Sequence, residues 1–271
     1  MKVTARAPAT TANLGAGFDC AAVALDLWNE VVVTDAGTPD RTHLGVQAFE
    51  RIGPADGLSL EFYDRIPRER GLGSSAAVIA LGLVAAAHVA GRELDPEWLL
   101  HEGLPLEGHA DNLAAALAGG ACLTSDGRIH RVADGVPGVP IALVPGATVA
   151  TAEARAALPE QVPLGDAVFT VGRAALLGAG LASGSESVFA AALDDRVHEP
   201  YRAPKAPLLS DVRAEAPTGA LGATISGSGP TVIVWAHPHQ AKECSVELSN
   251  RFPDIEVLWL STSPKGAEVV S

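Results

Sequence analysis

Residues 71–77 read Gly71-Leu72-Gly73-Ser74-Ser75-Ala76-Ala77, and the apolar run over residues 76–90 reads as a helix. Gly71 and Gly73 let the backbone take positive φ and approach a ligand closely. Ser74 and Ser75 stand where the helix should begin, as N-cap residues do. The first turn of a helix has unpaired N–H groups and a partial positive charge, and both favour an anion. The pattern is that of a phosphate loop without the Lys of a Walker A motif. The four lysines, Lys2, Lys205, Lys242 and Lys265, all lie away from Gly-rich loops. A nucleotide held here would rest on backbone amides, Ser hydroxyls and a metal ion. A tight turn before a capped helix explains the same seven residues taken alone, so the rest of the chain must decide.

With 271 residues, 48% of them apolar, the chain can bury a substantial core, as one large domain or two small ones sharing an interface. Aromatics are only 4% while Ala and Gly abound, which predicts closely packed helices. The formal net charge of −13 argues against a nucleic-acid or anionic-membrane partner, since such binding needs basic surface. Cys20, Cys122 and Cys244 are scattered and odd in number, without metal-ligand spacing. They fit a reducing cytosol, and a cytoplasmic location is expected. The N-terminus has no apolar signal core, and residues 76–90 include His88 and are too short to span a bilayer comfortably.

Patterning predicts an α+β fold, because strands and helices mix without strict βαβ alternation. A short edge strand over residues 1–8 leads into a loop over 8–18. Strands follow at 20–27 and 30–36, with Trp28-Asn29 at the turn between them, and at 58–64. The helix from residue 74 stops at Gly91. A second helix opens at Asp95-Pro96 and a third covers 111–118. Strands near 120–124 and 128–132 flank Ser125-Asp126-Gly127. A buried strand at 139–144 ends at Pro145-Gly146, where the two halves are divided: 1–145 and 146–271. Helices are expected near 151–157, 163–181, 185–193 and 205–216. Strand 220–225, the loop Ser226-Gly227-Ser228-Gly229-Pro230, strand 231–236, helix 238–250 and strand 255–261 complete the chain.

Three segments far apart in the chain are chemically alike. They are Pro8 to Asp19 (PATTANLGAGFD), residues 71–77, and Ser226 to Thr231 (SGSGPT). Together they resemble the three ordered motifs of the GHMP small-molecule kinase superfamily, in the form of its homoserine kinase branch. Two further stretches strengthen the likeness, Glu107-Gly-His-Ala-Asp-Asn112 and Asp195-Arg-Val-His-Glu-Pro-Tyr-Arg202. The resemblance covers nearly the whole chain. It implies a two-domain GHMP architecture, with a half like ribosomal protein S5 domain 2 before an α/β-plait-like half. It also implies transfer of phosphate from Mg-ATP to the side-chain hydroxyl of L-homoserine, as in threonine biosynthesis.

The resemblance implies roles residue by residue. Arg70, Gly71, Leu72, Gly73, Ser74, Ser75 and Ala76 wrap the ATP phosphates, and Ser74 reaches Mg²⁺. Glu107 is the Mg²⁺ carboxylate, with Glu102 the fallback because spacing before the His-x-Asp-Asn segment varies among relatives. Asn112 lies beside the attacking hydroxyl. Many sugar and mevalonate kinases use an Asp base there, whereas an Asn cannot take a proton. Catalysis must then rest on alignment and charge stabilisation, which a loose phosphoryl-transfer transition state permits. Asp19 suits an ammonium group and Asn13 stands beside it. Arg155 and Arg202 suit a carboxylate. Thr151 and His109 complete the substrate contacts. Gly227, Ser228 and Gly229 form a supporting loop. Family habit points to a homodimer, although no motif specifies one.

Each assignment has a plainer alternative: helix caps for Asp111, Asn112 and Thr151, an Asx-turn for Asn13 and Asp19, and solvated charges for Glu107, Arg155 and Arg202. Residues 36–60 are abbreviated against the family pattern, and Pro67 to Arg70 replaces smaller residues. A different alcohol acceptor on the same fold is opposed by Asn112 and the two Arg residues. A silent ligand sensor is opposed by the intact Ser74, Glu107 and Asn112. A dinucleotide dehydrogenase is weaker, since Gly15-Ala-Gly17 lacks the third glycine of that fingerprint.

Overall fold

In the computed structural model, which describes residues 1–271, the chain opens with β1 (Lys2–Asn13) paired antiparallel to β2 (Gly17–Asp35). The expected short edge strand is thus a long interior one, with residues 7–13 buried. The two strands expected at 20–36 are one. Pro8 offers no N–H to the ladder, and the register slips beside it: Pro8 faces Trp28 while Ala9 faces Leu25. Asn29 is a buried bracket rather than a turn residue. Its Oδ1 accepts from the N–H groups of Arg65 (2.8 Å) and Ile66 (2.9 Å).

There follow α1 (Leu44–Glu50), β3 (Leu58–Tyr63), α2 (Ser74–Val89), α3 (Pro96–Glu107) and α4 (Ala110–Ala118). The hairpin β4 (Ala121–Ser125) and β5 (Arg128–Ala133) turns at Asp126 and Gly127. Both turn residues have positive φ (51° and 71°), as a two-residue hairpin turn prefers. α2 is buried all round, as its continuous Ala/Leu/Val composition demands. It stops as predicted at Gly91: the Gly91 N–H donates to His88 O (2.9 Å) and the Arg92 N–H to Ala87 O (2.8 Å).

Next come β6 (Val139–Val144), α5 (Thr151–Ala156), α6 (Leu164–Ser183), α7 (Glu186–Ala192), α8 (Glu199–Arg202), α9 (Pro207–Ala214), β7 (Ala220–Ile225), β8 (Val232–Ala236), α10 (Ala241–Arg251), β9 (Glu256–Trp259) and β10 (Glu268–Val269). The first sheet runs β10-β1-β2-β4-β5, with β3 on the far half of β2; the second runs β7-β8-β6-β9. Alternation on the second sheet separates two cores. Ala142, Val144, Ile233 and Trp235 join the large core, while Ile141, Leu143, Val232 and Val234 face a smaller one with residues of α9 and α10.

The α+β expectation holds, but a division at Pro145-Gly146 does not follow the sheets. β6 precedes that point and sits inside the second sheet. The C-terminal tail returns to the first, where the Ser263 N–H donates to Ala24 O (2.9 Å) and Ala5 pairs with Val269. By length and composition α6 is the one helix able to cross a membrane, with mean hydropathy 1.3 over its window. Its Thr170, Leu177, Gly180 and Leu181 are buried in the fold.

Candidate active site

The three sequence motifs meet where the two sheets adjoin, tied by backbone and hydroxyl groups. The Ser226 hydroxyl donates to Gly71 O (2.6 Å), and its Oγ lies 2.9 Å from the Thr11 hydroxyl. The Gly227 N–H donates to Ala12 O (3.1 Å). Two glycines are demanded by this closeness. A Cβ on Gly71 would lie 2.1 Å from Ser226 O, and one on Gly73 would lie 1.8 Å from Thr10 Oγ1; both residues have positive φ. The glycines therefore serve loop-to-loop packing as well as access for a ligand.

The helix α2 starts one residue earlier than a Ser cap would place it. Its N-cap is Gly73, and no side chain caps the first turn. This corrects the expectation for Ser74 and Ser75, which occupy the first two helical positions. The first turn keeps free N–H groups aimed at the cleft, the arrangement an anion needs. The Ser75 hydroxyl donates to Glu107 Oε2 (2.8 Å). Glu107 ends α3 and faces the glycine loop, where burial pushes its carboxyl up to about 7, against the pull of the Ser75 hydrogen bond. Glu102 turns the other way and pairs with Arg51 at 3.3 Å. Of the two acids, Glu107 alone joins Ser74 in the cleft wall. A serine hydroxyl and a carboxylate at a phosphate loop are the hard oxygen donors that suit Mg²⁺.

Asn112, in the first turn of α4, lies between the glycine loop and the next pocket. The Thr10 hydroxyl donates to its Oδ1 (2.6 Å), which fixes the amide and commits its acceptor. Asp111 beside it is buried and accepts from the Asn112 N–H (2.7 Å). Burial raises its carboxyl above the usual range, with Asp19 adding repulsion. Asp111 lines the pocket and was not among the expected site residues; its place in the Glu107 to Asn112 stretch was the available signal.

That pocket gathers Asp19, Arg155 and Arg202 from β2, α5 and α8. Arg155 Nη2 donates to both oxygens of Asp19, at 2.8 and 2.9 Å. Arg202 is buried, and its Nη1 donates to Gly227 O (3.1 Å) rather than to a carboxylate. Burial holds its guanidinium below the ordinary value, with Asp19 pulling the other way. The Nε groups of Arg155 and Arg202 are both buried without a hydrogen-bond partner. Unmet donors of this kind are costly unless an acceptor arrives. Asn13 has both polar atoms engaged: its Nδ2 donates to Gly227 O (2.8 Å), and its Oδ1 accepts from the Asp19 N–H (3.0 Å). It braces the pocket between the first and third motifs.

The stretch from Asp195 to Arg202 is built to hold Arg202. Buried Asp195 accepts from the N–H groups of Val197, His198 and Glu199 through one oxygen, and from Thr170 through the other. Glu199 accepts from Arg213 (2.6 Å) and from the Ile225 N–H (2.9 Å). His198, fully buried, meets Gly15 O through Nε2 (2.8 Å), and burial pulls it down to about 4. These anchors carry no chemistry themselves, which is why residue type alone gave only Arg202.

Three recesses adjoin. One of about 370 Å³ lies between α1 and the start of α2, with His43, Leu44, Glu69, Ser74 and Val78 in its wall. The middle cleft, about 220 Å³, shares Glu69, Ser74 and Ser75 with the first. It shares Glu107, Asn112, Thr151 and Ser228 with the third, the small all-polar pocket of Asp19 and the arginines, where His109 also stands. Arg70 does not line the middle cleft; its Nη2 donates to Gly146 O (2.8 Å), bridging the halves. Leu72 and Ala76 are buried, so only their backbone can serve a ligand. Gly227 and Ser228 line both the middle cleft and the third pocket.

Comparison with known proteins gives one answer. Residues 43–120 match the GHMP kinases N terminal domain, and residues 166–254 the GHMP kinases C terminal domain. The homoserine kinase of Gloeobacter violaceus is 39% identical over 292 aligned positions, covering 97% of each chain. That of Moorella thermoacetica is 38% identical, covering 88% of each. Among solved structures, homoserine kinase from Cytophaga hutchinsonii superposes with a TM-score of 0.87 at 27% identity, covering 99% of this chain and 97% of that one. A mevalonate kinase shares the fold at TM-score 0.74 and 13% identity, covering 97% of this chain and 99% of that one.

Proposed function

We propose, on the premise that the chain belongs to the GHMP kinase family and within it to the homoserine kinases, that the three adjoining recesses hold nucleoside, phosphates and acceptor in that order. The reaction is ATP-dependent phosphorylation of the side-chain hydroxyl of L-homoserine to O-phospho-L-homoserine. The observation that carries the acceptor assignment is the all-polar pocket beside Asn112, which sets one carboxylate, Asp19, and two guanidiniums, Arg155 and Arg202, around one small space, the charges that an ammonium and a carboxylate would match. A sugar or mevalonate has no ammonium group to match Asp19.

The free N–H groups of the glycine loop and of the first turn of α2 receive the phosphate oxygens. Ser74 and Glu107 hold Mg²⁺, which when bound neutralises phosphate charge. A dication held there would offset the burial that raises the Glu107 carboxyl. One Nδ2 hydrogen of Asn112 leans on Asp111 Oδ1 at 3.4 Å, and the other N–H is presented to the reacting oxygens, since Thr10 already bonds Oδ1. The side chain can align the hydroxyl and stabilise charge, and it leaves the proton to a phosphate oxygen or water. Asp19, Arg155 and Arg202 orient the acceptor, with His109 and Thr151 at the rim. The cytosol supplies both substrates and suits the three free cysteines.

The test is ADP release from Mg-ATP with L-homoserine, beside L-serine, mevalonate, galactose and no acceptor. Homoserine-dependent turnover is expected. Turnover with mevalonate or galactose instead would overturn the acceptor assignment and keep the phosphate site.

A further inference from the structure

Phe18 is half-buried between two functional groups of the acceptor pocket, yet it makes no hydrogen bond and belongs to no catalytic class. The guanidinium carbon of Arg202 lies over its ring at 5.0 Å from the centroid, and that of Arg155 at 5.8 Å. The ring of His198 stacks on it at 4.9 Å with an interplanar angle of 19°. His198 is itself held by Gly15 O.

We propose that Phe18 is a specificity-determining positioning residue, whose ring holds the Arg155 and Arg202 guanidiniums in place to receive the carboxylate of the acceptor. The proposal rests on the homoserine reading above. A buried guanidinium needs compensation. Arg155 is part-exposed and has Asp19, whereas buried Arg202 has one carbonyl partner, Gly227 O. A carboxylate in that place would occupy the N–H donors that the substrate must use. A ring face attracts the cation through its quadrupole and leaves the in-plane N–H groups free. Both arginines line the pocket of Asp19, where their outward N–H groups face an incoming carboxylate. The ring also holds Arg202 beside the Asp19–Arg155 pair without a carboxylate of its own. His198 fixes the ring, and burial keeps His198 neutral, so it adds no third positive charge.

The experiment measures KM for L-homoserine and for ATP in the full chain carrying Phe18→Leu or Phe18→Tyr. It adds kcat/KM for 3-amino-1-propanol, which keeps the ammonium and hydroxyl groups and lacks the carboxylate. Phe18→Leu should raise the homoserine KM by about tenfold, the order expected from losing two cation–π contacts. The ATP KM and kcat/KM for the amino alcohol should stay within about twofold, and Phe18→Tyr should restore homoserine binding. If Phe18→Leu does not fold, fluorinated phenylalanine at position 18 weakens the ring's quadrupole at nearly constant shape, and the homoserine KM should climb with each fluorine. An unmoved homoserine KM, or equal losses with both acceptors, would overturn the proposal. The unaltered chain is assayed first. No homoserine turnover there overturns the functional reading and this inference together, whereas turnover with insensitive variants overturns the inference alone.

Discussion

Arg155 closes on Asp19 through a single nitrogen, Nη2, which donates to both carboxylate oxygens at 2.8 and 2.9 Å. The two groups assigned to opposite ends of a zwitterion thus neutralise each other before it arrives. An amino acid can exchange its ammonium and carboxylate for this pair without stranding either charge. A ligand with only one charge would leave the other protein group unmatched.

Replacing Asp19 with Asn should therefore raise the KM for homoserine by roughly 10–100-fold, the range for losing one hydrogen bond to a charged group. The pair is more than a third exposed on both sides, at 40% and 37% of side-chain area, so its contribution to folding is small. Calorimetry should show Tm within about 2 °C of the parent. A matching fall in Tm and unchanged KM would make the pair structural.

Glu107 and Glu102 are separated by partner. Glu107→Gln should lower kcat by about 100-fold at saturating Mg²⁺, because it removes a charge aimed at the reacting phosphates. Glu102→Gln should stay within about twofold, since its exposed pair with Arg51 is worth little. Steady-state rates across a magnesium titration distinguish the two acids, and the reverse pattern would return the metal role to Glu102.

Asn112→Asp tests whether the reaction lacks a base by design. The new carboxylate can still accept from Thr10, but it loses the Nδ2 donors and adds negative charge beside phosphate. The expected fall in kcat is about 100-fold or more. A rise in single-turnover rate would show instead that proton removal limits the chemistry.

Gly71→Ala should be destabilising by about 2–4 kcal/mol, combining left-handed strain with a forced contact. Its Cβ would sit 2.1 Å from Ser226 O at φ +81°. The damage should reach the acceptor pocket as well as ATP, because the same loop carries Gly227, the partner of Asn13 and Arg202. Urea unfolding and homoserine KM measured together check both effects.

The phosphate loop, α3 with its Asp95 cap, the hairpin turn and the second-sheet strands were legible because local chemistry fixes them: glycines at positive φ, a capping carboxylate, alternating apolar residues. The course of β1 and β2 was not. Pro8 and Asn29 read locally as breakers, yet they are a slip in one long ladder and a buried bracket whose partners lie 35–37 residues away. Likewise β10 is two residues long, and only its neighbour β1 makes it a strand. Motifs also named the charges of the site but not their supports. Thr10, Phe18, His198 and Arg213 are ordinary residue types whose roles come from what the fold sets against them.

Glu199 gives a pH dependence of stability with a definite sign. Its carboxyl lies near 4.5 when unfolded and is raised to about 7 in the fold by burial, with Asp195 adding repulsion while Arg213 and the Ile225 N–H oppose the rise. Between those values the folded chain keeps a proton that the unfolded chain has released. The corresponding stability is complete below about pH 4.5 and is lost as pH rises through about 7. His198 has the opposite slope, being neutral in the fold down to about 4, but it is unchanged in a comparison with Glu199→Gln. The amide can still accept from the Ile225 N–H and stays uncharged throughout. Relative to that variant, the parent chain should lose several degrees of Tm between pH 5 and pH 8. A parallel pair of Tm curves would mean that Arg213 keeps Glu199 ionised across the whole range, making the brace behind Arg202 a permanent ion pair.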